Sequence, residues 1–346
     1  MKKIISLLII LCLLFGFCGC KANSQKFTEY SFDYFDTVTT IVGFEQSEED
    51  FKQNCEQIKA WLSEYHQLYD IYTLYDGVNN LCRINMSNGE AVTVEPEITQ
   101  LLEYSKELYK TTNGKLNIAM GSVLSIWHDY REYGLKNPEK ASVPNLQLLE
   151  KANKHTDISN IIIDKQKNTV KLDDSEIKLD VGGIAKGYAA EQIAKKMEYA
   201  GITGYILNIG GNVKIVGNRT DGEKWTVGIE NPHTQDSENP YIETLKLDNS
   251  MSLVTSGSYQ RFYTVGDVNY HHIINPDTLY PAKNFKSVSV LCEDSGLADA
   301  LSTALFCMTY EDGKKIIETT DNVYVMWVLE NGEKLYSEGF KKFITN

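Results

Sequence analysis

Two stretches more than a hundred residues apart carry the chemistry this sequence offers. The later one reads Leu297-Ala298-Asp299-Ala300-Leu301-Ser302-Thr303-Ala304-Leu305-Phe306, with Ser302 three and Thr303 four positions after Asp299. On a helix those residues are neighbours on one surface. A carboxylate beside hydroxyl oxygens suits Mg2+, which takes few protein ligands and keeps positions for water or phosphate oxygens. The competing reading is a capping or solvent-facing Asp. Asp294-Ser295 is the better cap, however, and the run around Asp299 is apolar enough to be buried, where an unpaired carboxylate is costly.

The earlier stretch reads Leu179-Asp180-Val181-Gly182-Gly183-Ile184-Ala185-Lys186-Gly187-Tyr188. Its pattern is a strand end delivering Asp180, a glycine turn and a helix start. The glycines let backbone approach a ligand closely, and the helix N-terminus offers free N–H groups to an anion. Lys186, in the first turn, is placed to meet phosphate. A plain strand–helix turn would also call for glycine. The spacing matches neither a Walker loop nor G-x-G-x-x-G.

Smaller candidates surround these two. Asn208-Ile209-Gly210-Gly211-Asn212 is a second glycine pair, readable as a hairpin turn. Thr255-Ser256-Gly257-Ser258-Tyr259-Gln260-Arg261 supplies hydroxyls and a cation. Tyr270-His271-His272-Ile273-Ile274-Asn275-Pro276 sets two histidines at a strand end, one suited to carry a proton near neutral pH and the other to a structural part. No cysteine–histidine metal cluster and no catalytic triad is evident.

The elements that must position these residues are legible in outline. Tyr30–Phe44 reads as a strand or hairpin. Glu48–Tyr72 has helical spacing, with Phe51, Cys55, Ile58, Leu62 and Tyr65 on one face. Pro96 opens a second helix that stops at Asn113-Gly114. Ala119–Tyr133 is a turn and an aromatic-rich helix, and 137–157 is surface loop with a short helix. From Ile161 the texture turns to short strands, including Ile177–Val181, interrupted by helices at Ala185–Ala200, Leu297–Met308 and Gly313–Thr319. The expected class is α+β: mixed, largely antiparallel sheets with helices covering a face.

Residues 1–20 read as a leader rather than fold. Lys2 and Lys3 precede an apolar run of 14 residues, Ile4 to Phe17, which is signal-peptide length. Gly19-Cys20 then resembles a bacterial lipoprotein cleavage site, with Cys20 the lipidated first residue; plain secretory cleavage is the alternative. Residues 21–29 read as a tether and 30–346 as one catalytic domain. The mature chain is expected to work outside the cytoplasm, anchored to the cell membrane through Cys20. Losing Lys2 and Lys3 takes the formal net charge from −13 to −15, which argues against nucleic acid. It also means an anionic ligand needs local compensation, which a divalent cation would give. Cys55, Cys82, Cys292 and Cys307 are scattered among apolar residues and read as buried free thiols.

It is the order of these segments that points to a family. Phe35-Asp36-Thr37, the 72–85 loop ending Arg83-Ile84-Asn85, Thr111–Trp127, Leu179–Tyr188, Asn208–Asn212, Trp225–Pro232, Thr255–Arg261, His272–Pro281 and Ala298–Phe306 together resemble the ApbE family of FAD:protein FMN transferases, over nearly the whole mature chain. The resemblance implies a T-fold-like ApbE architecture. It implies FAD as substrate with Mg2+ at the pyrophosphate, and transfer of FMN to a Thr or Ser hydroxyl of an extracytoplasmic acceptor flavoprotein of an electron-transfer system, with release of AMP. Asp299 and Thr303 match the family's side-chain metal ligands, and Gly183 a further metal contact through its carbonyl; Ser302 falls where some members have a second Asp. Phe35 matches an apolar flavin contact, Tyr75 (or Tyr72, if the loop alignment slips) an aromatic one, and Ala119-Met120-Gly121 a backbone stretch touching FAD. Asp180 and Lys186 match FAD-contacting positions, and His272 the acid–base histidine.

Two departures stand in the family's His-x-x-Asp-Pro-x-Thr-Gly turn, where this chain has Asn275 for Asp and Leu279 for Gly. Leu279 is expected to force a different turn, because φ > 0 is poorly tolerated there. Two other functions fit the same residues: Mg2+-dependent hydrolysis of FAD to FMN and AMP, and a non-enzymatic flavin-binding lipoprotein.

Overall fold

The chain opens on a hairpin, β1 (Gln25–Tyr34) and β2 (Thr37–Glu45), whose register pairs Tyr34 with Thr37. The two-residue tip, Phe35-Asp36, has φ of 55° and 50°, as a tight primed turn demands. In the computed structural model, which describes residues 24–233, 239–248 and 250–345, β1 starts inside the stretch expected to be tether: Gln25 to Glu29 pair with Glu45 to Ile41. The leader and Cys20 lie outside the described residues. Among those described, no helix is long and apolar enough to cross a membrane.

Helix α1 (Glu48–Tyr69) is capped by Ser47, whose side chain accepts from Asp50 N, and it buries the expected face of Phe51, Cys55, Ile58, Leu62 and Tyr65. Then come α2 (Leu81–Asn85), β3 (Val92–Thr93), α3 (Pro96–Thr111, Pro at its start), α4 (Gly121–Lys136), α5 (Leu146–Asn153), β4 (Ile161–Asp164) and β5 (Thr169–Leu172). Helix α6 (Ala185–Tyr199) leads into β6 (Tyr205–Ile209), β7 (Asn212–Val216), β8 (Trp225–Glu230), β9 (Tyr241–Leu247), β10 (Ser252–Gly257), β11 (Phe262–Val265), β12 (Val268–His271) and β13 (Ser287–Cys292). The chain closes with α7 (Ser295–Phe306), α8 (Tyr310–Glu318), β14 (Tyr324–Val328) and β15 (Lys334–Tyr336).

The frame is an eight-stranded sheet, β1-β2-β6-β7-β10-β13-β14-β15, antiparallel at every pairing. Its strands alternate between two cores, as a period of two requires. Val254, Val290, Val325 and Trp327 point into the larger core with residues of α1, α6 and α7. Leu253, Leu291, Met326 and Val328 point the other way, against Trp225, Ile229 and Leu245 of the β8–β9 hairpin. A third cluster gathers Met120, Val123 and Trp127 with Tyr263, Ile274 and Leu279. The mixed helices and antiparallel sheets are those expected.

One expected strand is absent as such. Ile177–Val181 is an extended segment held by a single parallel bridge from Lys178 to Met120 and by a bond from Asp180 N to Ile118 O. Its neighbour is the loop before α4, too short to build a ladder. Asn85 secures it further, accepting from Leu179 N and donating to Leu179 O. Cys55, Cys82, Cys292 and Cys307 are free and buried, and burial pushes the Cys55, Cys292 and Cys307 thiols up to about 12.

Candidate active site

Helices α6 and α7 approach so closely that position 187 must be glycine. A Cβ there would lie 2.2 Å from Ser295 O and 2.5 Å from Asp299 Cβ. The closeness brings Gly187 N, in the first turn of α6, within 2.8 Å of Asp299 Oδ2. Asp299 is 3% exposed, and this N–H at a helix N-terminus partners the buried carboxylate. One turn along α7, Thr303 touches the glycine turn: a Cβ on Gly183 would stand 3.1 Å from Thr303 Cγ2 and 3.4 Å from its Oγ1. The two distant sequence segments therefore converge. Further along α6, the buried Glu191 accepts from Ser295 N at 3.1 Å and pairs with buried Lys214 at 2.8 Å, fixing the start of α7.

Above this junction opens a cleft of about 340 Å3. Phe35, Met120, Asp180, Gly183, Lys186, His272, Asp299 and Thr303 all line it. Tyr75, Ala119 and Gly121 do not. Tyr75 lies behind the wall, its hydroxyl donating to Asp70 Oδ2 (2.9 Å) and 3.2 Å from His66 Nε2. Of the two loop tyrosines, the one at the cleft is Tyr72, 60% exposed and stacked on His128 with ring centroids 5.1 Å apart. Ala119 is fully buried with its N bonded to Asn117 Oδ1, and Gly121 N donates to Lys178 O. Both fix the backbone on either side of Met120.

Charge in the cleft is balanced, where the whole chain is acidic: Asp36, Asp70, Asp180 and Asp299 line it together with the cations. Lys115, Arg131, Lys186 and Arg261 all line it, as does His128. Asp180 accepts from Gly182 N at 2.8 Å; crowding by protein raises its pKa, while that bond and the neighbouring His128, Lys186 and Arg131 oppose the rise. His272 opens onto the cleft, and displacement of water by the surrounding protein lowers its pKa, aided by the nearby Arg261, His271 and Lys186. The Arg261 carbonyl, 3.2 Å from His272 Nδ1, accepts, so Nδ1 carries the proton and Nε2 is the free acceptor. His271, by contrast, is buried with its Nε2 2.7 Å from Ala282 O, a structural partner.

Sequence reasoning passed over His66, Asp70, His128 and Arg131. Leu124, Trp127, His128 and Arg131 all line the cleft and share one helical face, a spacing that was available as a signal. His66 had none, since it follows an apolar face with no motif around it. The Asn208–Asn212 segment is indeed a hairpin turn, with Gly210 and Gly211 at φ 57° and 91°. It also serves the cleft, because Gly210 and Asn212 line it and a Cβ on Gly210 would strike Thr37.

The residue types fit a hard cation of low protein coordination: the Asp299 carboxylate and the Thr303 hydroxyl line the cleft beside the Gly183 backbone. Ser302 is fully buried, its Oγ donating to Asp299 O and lying 2.8 Å from Ser256 Oγ. Among the described residues no group of three His, Cys, Asp or Glu side chains gathers, so a zinc-type cage is not built here.

The profile of the ApbE family matches residues 32–327. The chain belongs to the ApbE family. Curated relatives include the FAD:protein FMN transferase of Haemophilus influenzae, 27% identical over 357 residues (99% of this chain, 98% of that protein). That of Treponema pallidum is 26% identical across 96% of this chain and 92% of its own. Among solved structures, the ApbE protein of Thermotoga maritima superposes with a TM-score of 0.80 at 29% identity, covering 93% of this chain and all of that one. The flavin transferase ApbE of Vibrio cholerae does so with 0.75 at 25%, covering 92% and 99%.

Against the ApbE turn pattern, this chain's two departures are absorbed locally. Leu279 itself adopts the left-handed conformation, at φ 61°. Its side chain is buried in the Trp127–Tyr263 cluster, its N donates to Asn275 O, and its carbonyl accepts from Trp127 Nε1 at 2.8 Å. Asn275 accepts from Asp277 N, as Asp would, and also donates to Cys307 O at 3.0 Å, which an ionised Asp could not.

Proposed function

We propose that this protein transfers FMN from FAD to a Thr or Ser hydroxyl of an acceptor protein outside the cytoplasm, releasing AMP, with Mg2+ at the diphosphate. The observation that carries this reading is the junction of Gly183 with Thr303 and Gly187 with Asp299, at the base of a cleft whose walls carry Lys and Arg side chains and aromatic rings. The names of the curated relatives support the activity.

The acceptor oxygen attacks the phosphorus on the flavin side of the FAD diphosphate. A new P–O bond forms, the P–O–P link breaks, and AMP leaves with the bridging oxygen. Asp299, Thr303 and the Gly183 carbonyl would hold Mg2+, which would neutralise charge on the diphosphate oxygens. Lys186 is placed to bind phosphate. His272, neutral and with Nε2 free, accepts the hydroxyl proton. Phe35, Met120, Tyr72 and Trp127 supply apolar and aromatic surface for the isoalloxazine ring.

Incubating the mature protein with FAD, Mg2+ and flavin-acceptor proteins of its own organism should leave acid-stable fluorescence on an acceptor, with one AMP per flavin. FMN released at one rate with and without acceptor would make the protein a hydrolase. Intact FAD after long incubation would leave only a flavin carrier. We place the protein at the outer face of the cell membrane, lipidated on Cys20, from Lys2-Lys3, the apolar run and Gly19-Cys20. Labelled fatty acid should enter the wild type and not Cys20→Ala.

A further inference from the structure

Two hydrogen-bonded groups, one around His66 and one around His272, are joined through the covalent Phe35–Asp36 turn and the Arg261 side chain. Phe35 N donates to His66 Nδ1 at 3.2 Å, so that nitrogen is unprotonated and the ring proton sits on Nε2. Nε2 faces the Tyr75 hydroxyl at 3.2 Å, and that hydroxyl spends its own proton on Asp70 Oδ2 at 2.9 Å. Donors and acceptors thus match in only one arrangement. On the far side of the same turn, Arg261 Nη2 donates to Asp36 O at 2.7 Å. The Arg261 carbonyl in turn accepts from His272 N at 3.1 Å and lies 3.2 Å from His272 Nδ1. Phe35 and Asp36 hold positive φ without being glycine, a conformation that persists where neighbours impose it. The Phe35 ring also meets the His66 ring edge-on, 5.6 Å between centroids.

We infer that His66 is a positioning residue for His272, acting through the Phe35–Asp36 turn and Arg261, with Tyr75 and Asp70 fixing the His66 tautomer. Its part is to keep the Arg261 carbonyl on His272 Nδ1, so that Nε2 stays free for the acceptor's proton. This rests on the proposed transfer reaction for its purpose, but not for its geometry.

The test pairs His66→Phe, which keeps the ring contact and loses both nitrogens, with His66→Asn, whose amide oxygen replaces Nδ1 as acceptor. In the flavin-free, metal-free full chain, nitrogen NMR should show His272 as the Nδ1–H tautomer in the wild type and His66→Asn, and as a mixture in His66→Phe. With FAD and Mg2+, AMP release by His66→Phe should fall about tenfold or more in kcat at little-changed FAD affinity, and His66→Asn should recover most of it. Should His66→Phe not fold, Tyr75→Phe reads the same path and should give a smaller loss in the same direction. An unchanged His272 tautomer, or equal losses in the Phe and Asn variants, overturns the inference. A wild type that never cleaves FAD overturns the transfer reading instead, while the tautomer measurement still decides this one.

Discussion

The backbone N–H of Gly187 bonds to Oδ2 of Asp299 at 2.8 Å across 112 positions of sequence. A glycine without unusual φ is thus required in mid-segment by what lies opposite it, not by its own backbone. Gly187→Ala would drive a methyl into Ser295 O and Asp299 Cβ. It should cost about 1–3 kcal/mol of stability and remove FAD turnover together, read by urea denaturation and AMP release. Wild-type stability in this variant would mean the helices do not meet as described.

Asp299→Asn separates the charge from the contact. The amide oxygen can still accept from Gly187 N, so the melting temperature should change little. AMP release should fall on the order of a hundredfold or more, because the anionic ligand for Mg2+ is gone. An Asn variant with near-wild-type turnover and the same Mg2+ requirement would remove Asp299 from the metal site.

The pH dependence follows from two depressed histidines. Burial lowers His271, and the protein around it lowers His272 to about 3. Buried His271 is neutral when folded and titrates near 6.5 when unfolded, so the unfolded chain binds the extra proton below that value; His272, open to solvent on the cleft side, adds little to stability. The His271 contribution to stability is fully present above pH 6.5 and is lost as pH falls toward its lowered folded pKa. In catalysis, the acid limb of kcat/KM should lie well below 6.5. A limb at 6.5 or higher that vanishes in His272→Ala would show that the imidazole is not depressed.

Leu279 inverts an ordinary ranking. Removing its buried side chain should cost about 2–4 kcal/mol, but glycine also relieves the left-handed conformation, worth roughly 1–2 kcal/mol. Leu279→Gly should therefore be less destabilising than Leu279→Ala, the reverse of the usual order at negative φ. Denaturant titration of both variants decides it.

What the sequence disclosed was periodic or chemically marked. The α1 face repeats at helical spacing, and α7 announces Asp299 and Thr303 through polar types in an apolar run. What it hid depends on partners remote along the chain. Ile177–Val181 has strand composition, but its neighbour is a loop, so composition misled. Tyr72 and Tyr75 are equivalent as letters; only Asp70, which binds the backbone of Tyr72 and the hydroxyl of Tyr75, sends one to the cleft and the other behind it. The His66 path joins four segments of the chain, and no local pattern encodes it.

The four cysteines of the described residues, finally, are all buried free thiols. Among the described residues no disulfide links Cys55, Cys82, Cys292 and Cys307, so no thiol oxidation is needed to hold this part of the chain together. With three of the four thiols raised so far, thiolate is scarce while the chain is folded. An alkylating dye would thus react chiefly with molecules that have opened, and its rate of uptake is a clock for how often this protein comes apart.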